Sequence, residues 1–435
     1  MTTTRNRWLF ALLIVTACTG NVYSQKVLTL KECNDAAINA SALAGEKSAY
    51  SEISAIKDKN IARGWLPTFD LNGSILYNSE VVDLSSILGN LPFPGIADAI
   101  KPLPHDQYKL TVDINQVIYD GGAMKSARKL EKADLNVNEK QTESDLYRLR
   151  SQVNGYYFNI LLLKRQKDLL GLYLGLIEKR LVSVQSAVNN GVMLSSDADV
   201  LRSELLNLRQ QLSDNEIKTN SLTGVLSDLT GIEIDSTTQF VLPSGEETPN
   251  NDINRPELQL LDMRIDQLTA GESLASSKRM PKAFGFATLG YGNPPGSNFF
   301  RDKFDTYYIV GAGIKWNIFD WNKVKNEKQV ISLQKTMIDN RKKDLTDNIR
   351  RQLEVKESEI TSLEKMTETD SELLKLRKKI SASAGSQHEN GIITATEYLN
   401  ILNNERQAAI NSEIHIINLA FARAEYINIS GQESE

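Results

Sequence analysis

Val117-Ile118-Tyr119-Asp120-Gly121-Gly122 is the stretch that decides how this chain folds. It closes an alternating, strand-like run and opens a helical pattern that stops only at Gly191-Val192-Met193-Leu194-Ser195-Ser196-Asp197. Two hundred residues on, Asn317-Ile318-Phe319-Asp320 closes a second alternating run, and the helical pattern behind it stops at Gly391-Ile392-Ile393-Thr394-Ala395-Thr396-Glu397. Asp120 to Gly191 and Asp320 to Gly391 are both 71 residues apart. Two arms of equal length at a fixed offset point to an internally duplicated architecture.

The run leading into the first junction alternates strictly. Tyr108, Leu110, Val112, Ile114, Gln116 and Ile118 fall on one face, and Lys109, Thr111, Asp113 and Asn115 on the other. That pattern suits a half-buried strand of a soluble sheet, or a barrel strand with lipid on one side and water on the other. Tyr308, Val310, Ala312, Ile314, Trp316 and Ile318 repeat it in the second copy. Each alternating run follows a shorter one, at about Thr68 to Asn78 and at Phe284 to Tyr291, and Leu66-Pro67 and Met280-Pro281 introduce these. The segment 79–106, with Pro92, Pro94, Pro102 and Pro104, reads as an exposed surface loop, and Gly292-Asn293-Pro294-Pro295-Gly296 as a turn-rich one.

The arms are too long for a compact domain, since 71 helical residues at about 1.5 Å each reach on the order of 100 Å. In the first arm Leu146, Leu149, Val153, Tyr156, Ile160 and Leu163 step by three and four. Lys167 interrupts, and Leu170, Leu174, Ile177, Leu181, Val184 and Val188 resume, which predicts a coiled-coil seam. Beyond Gly191 the chain turns and re-enters a helix at Ala198 to about Leu229, so the arm is one limb of a helical hairpin rather than a free rod. The second arm is more polar, with Ile349, Leu353, Ile360, Leu363 and Leu374 as its stripe, and its return helix runs to about Ile429. Leu28 to Arg63 reads as a first helix opened by the capping box Thr29-Leu30-Lys31-Glu32, and Pro256-Glu257-Leu258 restarts one to about Lys278.

The expected organisation is therefore a leader at 1–24, a first repeat at 25–230, a linker at 231–256 and a second repeat at 257–435. In the leader, Arg5 and Arg7 precede an apolar run from Trp8 to Ala17, and Val22-Tyr23-Ser24 suits cleavage before Gln25. The competing reading is the lipobox-like Val15-Thr16-Ala17-Cys18, which would place a lipid on Cys18. With ordinary cleavage Cys33 is left without a pairing partner. No later segment has 18 uninterrupted apolar residues, so any membrane crossing falls to strands. A formal net charge of −5 gives no basic footprint for nucleic acid. The three histidines, His105, His388 and His415, lie far apart and read as surface or interface residues. The sequence holds no Gly-rich phosphate loop, Cys-x-x-Cys or catalytic grouping, so neither metal, cofactor nor enzymatic activity is expected.

Helix, strand, strand and long hairpin, then the same again, resembles the TolC family of outer-membrane efflux proteins over nearly the whole mature chain. The junctions at Asp120 and Asp320 and the two turns carry the resemblance. It implies a mainly α protein with a membrane β-barrel portion: a homotrimer whose 12-stranded barrel, four strands per chain, is continued by an α-helical periplasmic tunnel. It also implies outer-membrane lipid, a periplasmic adaptor (membrane fusion) protein and an inner-membrane transporter as partners, and a passive role as conduit. Barrel geometry agrees that four strands cannot close on themselves, since bacterial barrels start at about eight. On this reading Gly191, Val192, Met193, Leu194 and Ser196, with Gly391, Ile392, Ile393 and Thr396, form adaptor-docking turns. The alternative is that their apolar side chains staple each turn onto its own helices. Ser196 to Asp199 and Thr394 to Glu397 both fit capping boxes. In the family, acidic residues after the second turn ring the narrow inner end of the channel; Glu397 matches the first such position and Asn400 departs from the second. Asp197 and Glu397 equally suit dipole complementation at helix starts. His388 stands where well-known members carry an aromatic. The rival function is a periplasmic adaptor or coiled-coil scaffold, but adaptors carry one hairpin between short β-domains, and this chain has two with paired strands before each.

Overall fold

The computed structural model describes residues 26–82, 103–243, 252–298 and 301–432. The leader with Cys18, and Pro92 and Pro94 of the first long loop, lie outside the described residues. In chain order the elements are β1 (Val27–Leu28), α1 (Leu30–Ala40), α2 (Glu46–Arg63), β2 (Thr68–Tyr77), β3 (Asp106–Tyr119), α3 (Ala123–Asn189) and α4 (Ser195–Thr230). The second half follows as β4 (Gln239–Phe240), α5 (Pro256–Ser277), β5 (Lys282–Asn293), β6 (Asp305–Lys315), α6 (Lys323–Glu389) and α7 (Ala395–Ser430). The arms α3 and α6 have 67 residues each and the return helices α4 and α7 have 36 each. All four start and stop 200 residues apart, as the duplication requires.

The chain divides into two compact units that cut across the repeats. One takes residues 46–142 and 257–344, and the other the segments up to Gly45, Glu143–Pro256 and from Leu345 onward.

The first unit contains an antiparallel sheet in the order β2-β3-β5-β6. Its register sorts the side chains by polarity. Phe69, Ile114, Ala287 and Val310 stand side by side across the four strands, and so do Leu71, Val112, Leu289 and Tyr308. Most of this apolar face is exposed, an arrangement that water would penalise and lipid would not. On the opposite face Asp113 accepts hydrogen bonds from Asn72 (2.7 Å), Thr288 (2.6 Å) and Thr111 (3.1 Å). Aromatic rings on that polar face lie over cross-strand glycines: Phe284 covers Gly313, Phe286 covers Gly311 and Tyr307 covers Gly290. The glycines leave room that a methyl group would fill, since a Cβ on Gly311 would stand 2.5 Å from the Phe286 ring.

β6 ends at Lys315, short of the expected strand to 319, whereas β3 continues to Tyr119 against β5. The difference is one of partners, because β5 pairs the end of β3 and, among the described residues, the outer edge of β6 has no neighbouring strand.

The second unit is held by two apolar clusters. One gathers Cys33, Tyr157, Ile160, Leu226, Phe240 and Ile417 around a parallel pairing of β1 with β4. The Tyr157 hydroxyl lies 2.9 Å from the Leu28 carbonyl and 2.6 Å from that of Val241, pinning both short strands to α3. Burial pushes the Cys33 thiol up to about 12, so it is packed as a small apolar group and is inert as a nucleophile. The expected single helix over 28–63 is in fact interrupted: Val27–Leu28 is a strand, Thr29 caps α1 with Glu32 as the capping box predicts, and Ser41 turns extended before α2. The other cluster joins Leu170, Ile177, Val184, Leu201, Leu208, Tyr398 and Leu402.

The buried seam of α3 is narrower than its sequence pattern. Leu146, Val153 and Ile160 are buried at seven-residue spacing, and Leu170, Ile177 and Val184 resume that spacing after a step of ten. Leu149, Tyr156, Leu163, Leu174, Leu181 and Val188 are half-buried flanks. Seven plus three extra residues shifts the seam around the helix and separates the clusters. Lys167 is outside the seam, exposed and paired with Glu216 of α4 at 3.3 Å. On α6, Ile349, Leu353 and Leu363 are buried, with Ile360 and Leu374 half-buried.

Two sets of variants test this packing. Ile160→Asp is expected to abolish stable folding by burying an unpaired charge. Lys167→Leu should move stability by no more than about 1 kcal/mol, the worth of an exposed ion pair; chemical denaturation measures both. In the sheet, Ile314→Lys should cost about 2–4 kcal/mol near the bilayer midplane, while Gly311→Ala should cost about 1–3 kcal/mol by overpacking against Phe286. Adding Phe286→Ala should rescue Gly311→Ala and leave Ile314→Lys unrescued, read as assembled protein in outer-membrane fractions.

Candidate functional site

The two strand-to-helix junctions and the two hairpin ends are where the chain changes direction, and each is built by the same local chemistry in both copies. At the first junction the Asp120 carboxylate accepts from the backbone N–H groups of Gly122 (2.8 Å) and Met124 (2.5 Å), satisfying first-turn donors of α3. Asp320 accepts from the N–H of Val324 at 3.1 Å and opens α6 in the same way. Gly121 and Gly122 adopt left-handed φ of 70° and 82°, and Trp321 and Asn322 hold φ of 53° and 62° at the equivalent positions. Left-handed backbone is natural for glycine and unusual for tryptophan.

The hairpin ends are matched Schellman motifs. Gly191, at φ 73°, donates to Val188 (2.9 Å) and Val192 to Ala187 (2.9 Å). Gly391, at φ 69°, donates to His388 (3.1 Å) and Ile392 to Gln387 (2.9 Å). The residue after the glycine usually packs back on the helix in this motif. Here it does not: Val192 is 77% exposed and Ile392 70%, and Leu194 is 70% exposed. Met193 and Ile393 behave oppositely and pack against the apolar cluster of the hairpins. The nine expected docking residues thus separate, with Met193 and Ile393 stapling the turns and Val192, Leu194 and Ile392 facing outward.

Capping separates the two ends as well. Thr394 forms a full capping box: its N–H donates to the Glu397 carboxylate (3.0 Å) and its hydroxyl accepts from the Glu397 N–H (3.2 Å). The capping box expected from Ser196 to Asp199 is not formed, because α4 starts at Ser195 and its cap position holds Leu194, which has no side-chain oxygen. Thr396 and Asn400 are exposed, Asp197 is half-buried, and the exposed Glu397 already bonds Thr394.

His388 is not at the surface, as its sequence position suggested, but 1% exposed. Its ring stacks on Tyr398 (centroids 5.2 Å apart, planes 14°), and neither ring nitrogen has a hydrogen-bond partner. Tyr398 also carries the Arg180 guanidinium over its ring at 5.0 Å, and Arg180 reaches Glu389 at 2.5 Å. Gly385 makes room, since a Cβ there would stand 3.3 Å from Arg180. α3 is thereby clamped to α6 and α7 beside the tips, and further along Arg406 to Glu204 (2.8 Å) ties α7 to α4 while Tyr173 to Glu405 (3.2 Å) ties α3 to α7. Arg180 is the residue that reading the sequence missed. Its signal was a lone cation three residues after Ile177 and four before Val184, on the seam face. Of the other histidines, His105 is exposed with Nδ1 2.7 Å from the Asn78 carbonyl, and His415 pairs with Asp370 at 2.6 Å.

No described helix is long and apolar enough to cross a membrane. Among the described residues no group of three or more His, Cys, Asp or Glu is placed to hold a metal ion. The family model for outer membrane efflux proteins matches residues 39–223, which span the first β-pair, its junction and the first hairpin. Over that stretch the chain is similar to the outer membrane efflux proteins. Solved structures agree on the fold. The Campylobacter jejuni CmeC outer membrane channel matches with a TM-score of 0.64 at 15% identity, over 93% of this chain and 87% of that one. The open-state Neisseria gonorrhoeae MtrE outer membrane channel gives 0.65 at 15%, over 93% and 89%. The Vibrio cholerae outer membrane protein VceC gives 0.63 at 13%, over 93% and 97%. No curated protein matches in sequence.

Burial, then the nearby Arg180 charge, hold the His388 imidazole below its ordinary range, while Asp197 and Glu389 pull the other way. Unfolded histidine titrates near 6.5, so the clamp is fully stable above that pH and weakens as pH falls below it toward the lowered folded value. Corrected for the intrinsic slowing of amide exchange in acid, hydrogen exchange over residues 385–400 should speed up between pH 7.5 and pH 5.5 in the parent. In His388→Phe, which keeps the stack on Tyr398 and has no proton to gain, that acceleration should be absent.

Proposed function

We propose that three copies of this chain close one barrel and act as the passive outer-membrane conduit of an envelope-spanning exporter. The single observation that carries this reading is the open sheet β2-β3-β5-β6, apolar on one whole face, polar on the other and unpaired at both outer edges. Within hydrocarbon every backbone group needs a partner, and four strands cannot close. Three chains supply twelve strands, with Asp113 and its neighbours facing a water-filled lumen.

Conduits of this kind need energy from elsewhere, reached through a periplasmic adaptor and an inner-membrane transporter. The exposed Val192, Leu194 and Ile392 supply apolar anchors of the kind that carries most of an interface's energy. Asp197 and Glu397, tripled around an axis, would place carboxylates at the inner mouth and favour cations. The periplasmic adaptor reading is not favoured: it accounts neither for the second hairpin nor for the lipid-compatible sheet face. A heat-modifiable band of trimer size in outer-membrane fractions tests the trimer, and a monomer in the periplasm would overturn it.

The docking reading makes a sharper prediction. Replacing Val192, Leu194 and Ile392 with Ser should leave trimer level unchanged and reduce export by tenfold or more, since about 1.4 kcal/mol lost from the interface already costs a factor of ten. Met193→Ser should instead loosen the turn itself, seen as faster proteolysis at 190–195. Export unchanged in the triple variant would sink the docking assignment.

A further inference from the structure

We infer that the seam between neighbouring copies has one defined register, in which β6 of one copy pairs antiparallel with β2 of the next, Ala312 opposite Ile75, and Trp321 lies against Leu66-Pro67. The inference rests on the trimeric reading above and goes further, by treating the β3–β5 joint inside the chain as the template for the joint between chains.

The template can be transferred because both of its sides recur. β3 and β6 each run into a capping aspartate, Asp120 and Asp320, 200 residues apart. β5 and β2 each begin immediately after a proline, Pro281 and Pro67, 214 residues apart. Inside the chain Leu110 faces Tyr291, Val112 faces Leu289 and Ile114 faces Ala287. Shifted by those offsets, Val310 faces Tyr77 of the next copy, Ala312 faces Ile75 and Ile314 faces Gly73. The facing supports the transfer. All six residues lie on the apolar side in the registers already formed, whereas a slip of one residue would set apolar against polar along the whole seam.

Two further features fit this joint. β6 stops at Lys315 although its counterpart β3 continues for four more residues. In the proposed register, positions 316 and 317 meet Leu71 and Asp70, which lie in the free edge strand β2. The second feature is Trp321. At the internal joint Gly121 comes so close to the preceding chain that a Cβ would stand 2.6 Å from the Met280 Cβ and 3.2 Å from the Pro281 carbonyl. Met280-Pro281 corresponds to Leu66-Pro67. The left-handed Trp321, 83% exposed with the Phe319 ring against it at 4.8 Å, and Leu66, 60% exposed, are the two sides left exposed in a single chain. The indole closes the seam by covering where glycine closes it by close approach.

Paired cysteines in the full-length protein test the register, and Cys33 does not interfere because it is buried. Directly opposed residues have Cβ atoms about 4.5–5.5 Å apart and diagonal ones 7–8 Å, and a disulfide needs about 3.5–4.5 Å. Ala312→Cys with Ile75→Cys should give covalent dimers and trimers on non-reducing gels, at least about tenfold above Ala312→Cys with Gly73→Cys or with Tyr77→Cys. Val310→Cys with Tyr77→Cys is a second in-register pair should the first impair assembly. Trimer level under reducing conditions reports folding in every case. Cross-links from an off-register pair, or from none while trimers form, overturn the register and leave the trimer standing. A parent chain that forms no trimer overturns the trimeric reading itself. Trp321→Gly should lower the temperature at which the trimer dissociates in detergent; a rise would mean that the tryptophan only strains the backbone.

Discussion

Every feature of the sheet answers to one constraint: in hydrocarbon no water is present to satisfy a free backbone N–H or C=O. β2 and β6 each present such a row, and among the described residues no further strand pairs with it. A soluble protein blunts an open edge with charges, prolines or bulges. This one leaves Phe69, Leu71 and Ile75 on one edge strand and Tyr308, Val310 and Ile314 on the other. The edges are kept adhesive, and self-association is the solution consistent with duplicated strands. The polar face meets the complementary demand, since Asp113 has three donors within the sheet and needs water or a neighbour only for its remaining capacity.

Duplication supplied two copies of one backbone plan, and the side chains then diverged by task. Both hairpins end in the same Schellman geometry at positions 200 residues apart. One is then capped by Thr394 and Glu397, while the other has Leu194 at the cap and leaves it without a side-chain bond. α3 carries the large buried residues Tyr157, Ile160 and Ile177, whereas α6 leaves Val355, Met366, Leu376 and Ile380 exposed in the single chain. The first hairpin thus supplies most of the apolar core, and the second presents both polar surface and apolar patches outward. The Arg180–Tyr398–His388 stack joins the two at the apolar cluster that already holds the hairpins together near their tips.

Much of this was legible because it depends on period and spacing. Alternation placed β2, β3 and β5 and their facing, equal arm lengths gave the hairpins, and Thr29-x-x-Glu32 and Thr394-x-x-Glu397 gave two real caps. What was not legible depends on partners distant in sequence or absent from the chain. β1 is two residues long and exists because Phe240 and Tyr157 meet it. His388 is buried by Tyr398 and Arg180, neither of which its local sequence announces. Lys167 looked like a break in the seam because heptad counting ran straight through a step of ten. Nothing local to Gly311 and Gly313 shows that the Phe286 and Phe284 rings lie on them. Ser196 matched a cap motif but stands two residues past the cap position, which Leu194 holds.

The equality of the two 67-residue arms has an evolutionary consequence. One residue inserted in an α-helix turns everything beyond it by about 100° and pushes it about 1.5 Å along the axis. Placed between Glu143 and Arg180, such an insertion would swing the guanidinium off Tyr398 and Glu389 and leave the two tips out of step. The second arm keeps the length of the first while being more polar, and an insertion or deletion in one copy alone would break that match. Length, rather than composition, is the inherited trait here, and each hairpin serves as the ruler for the other.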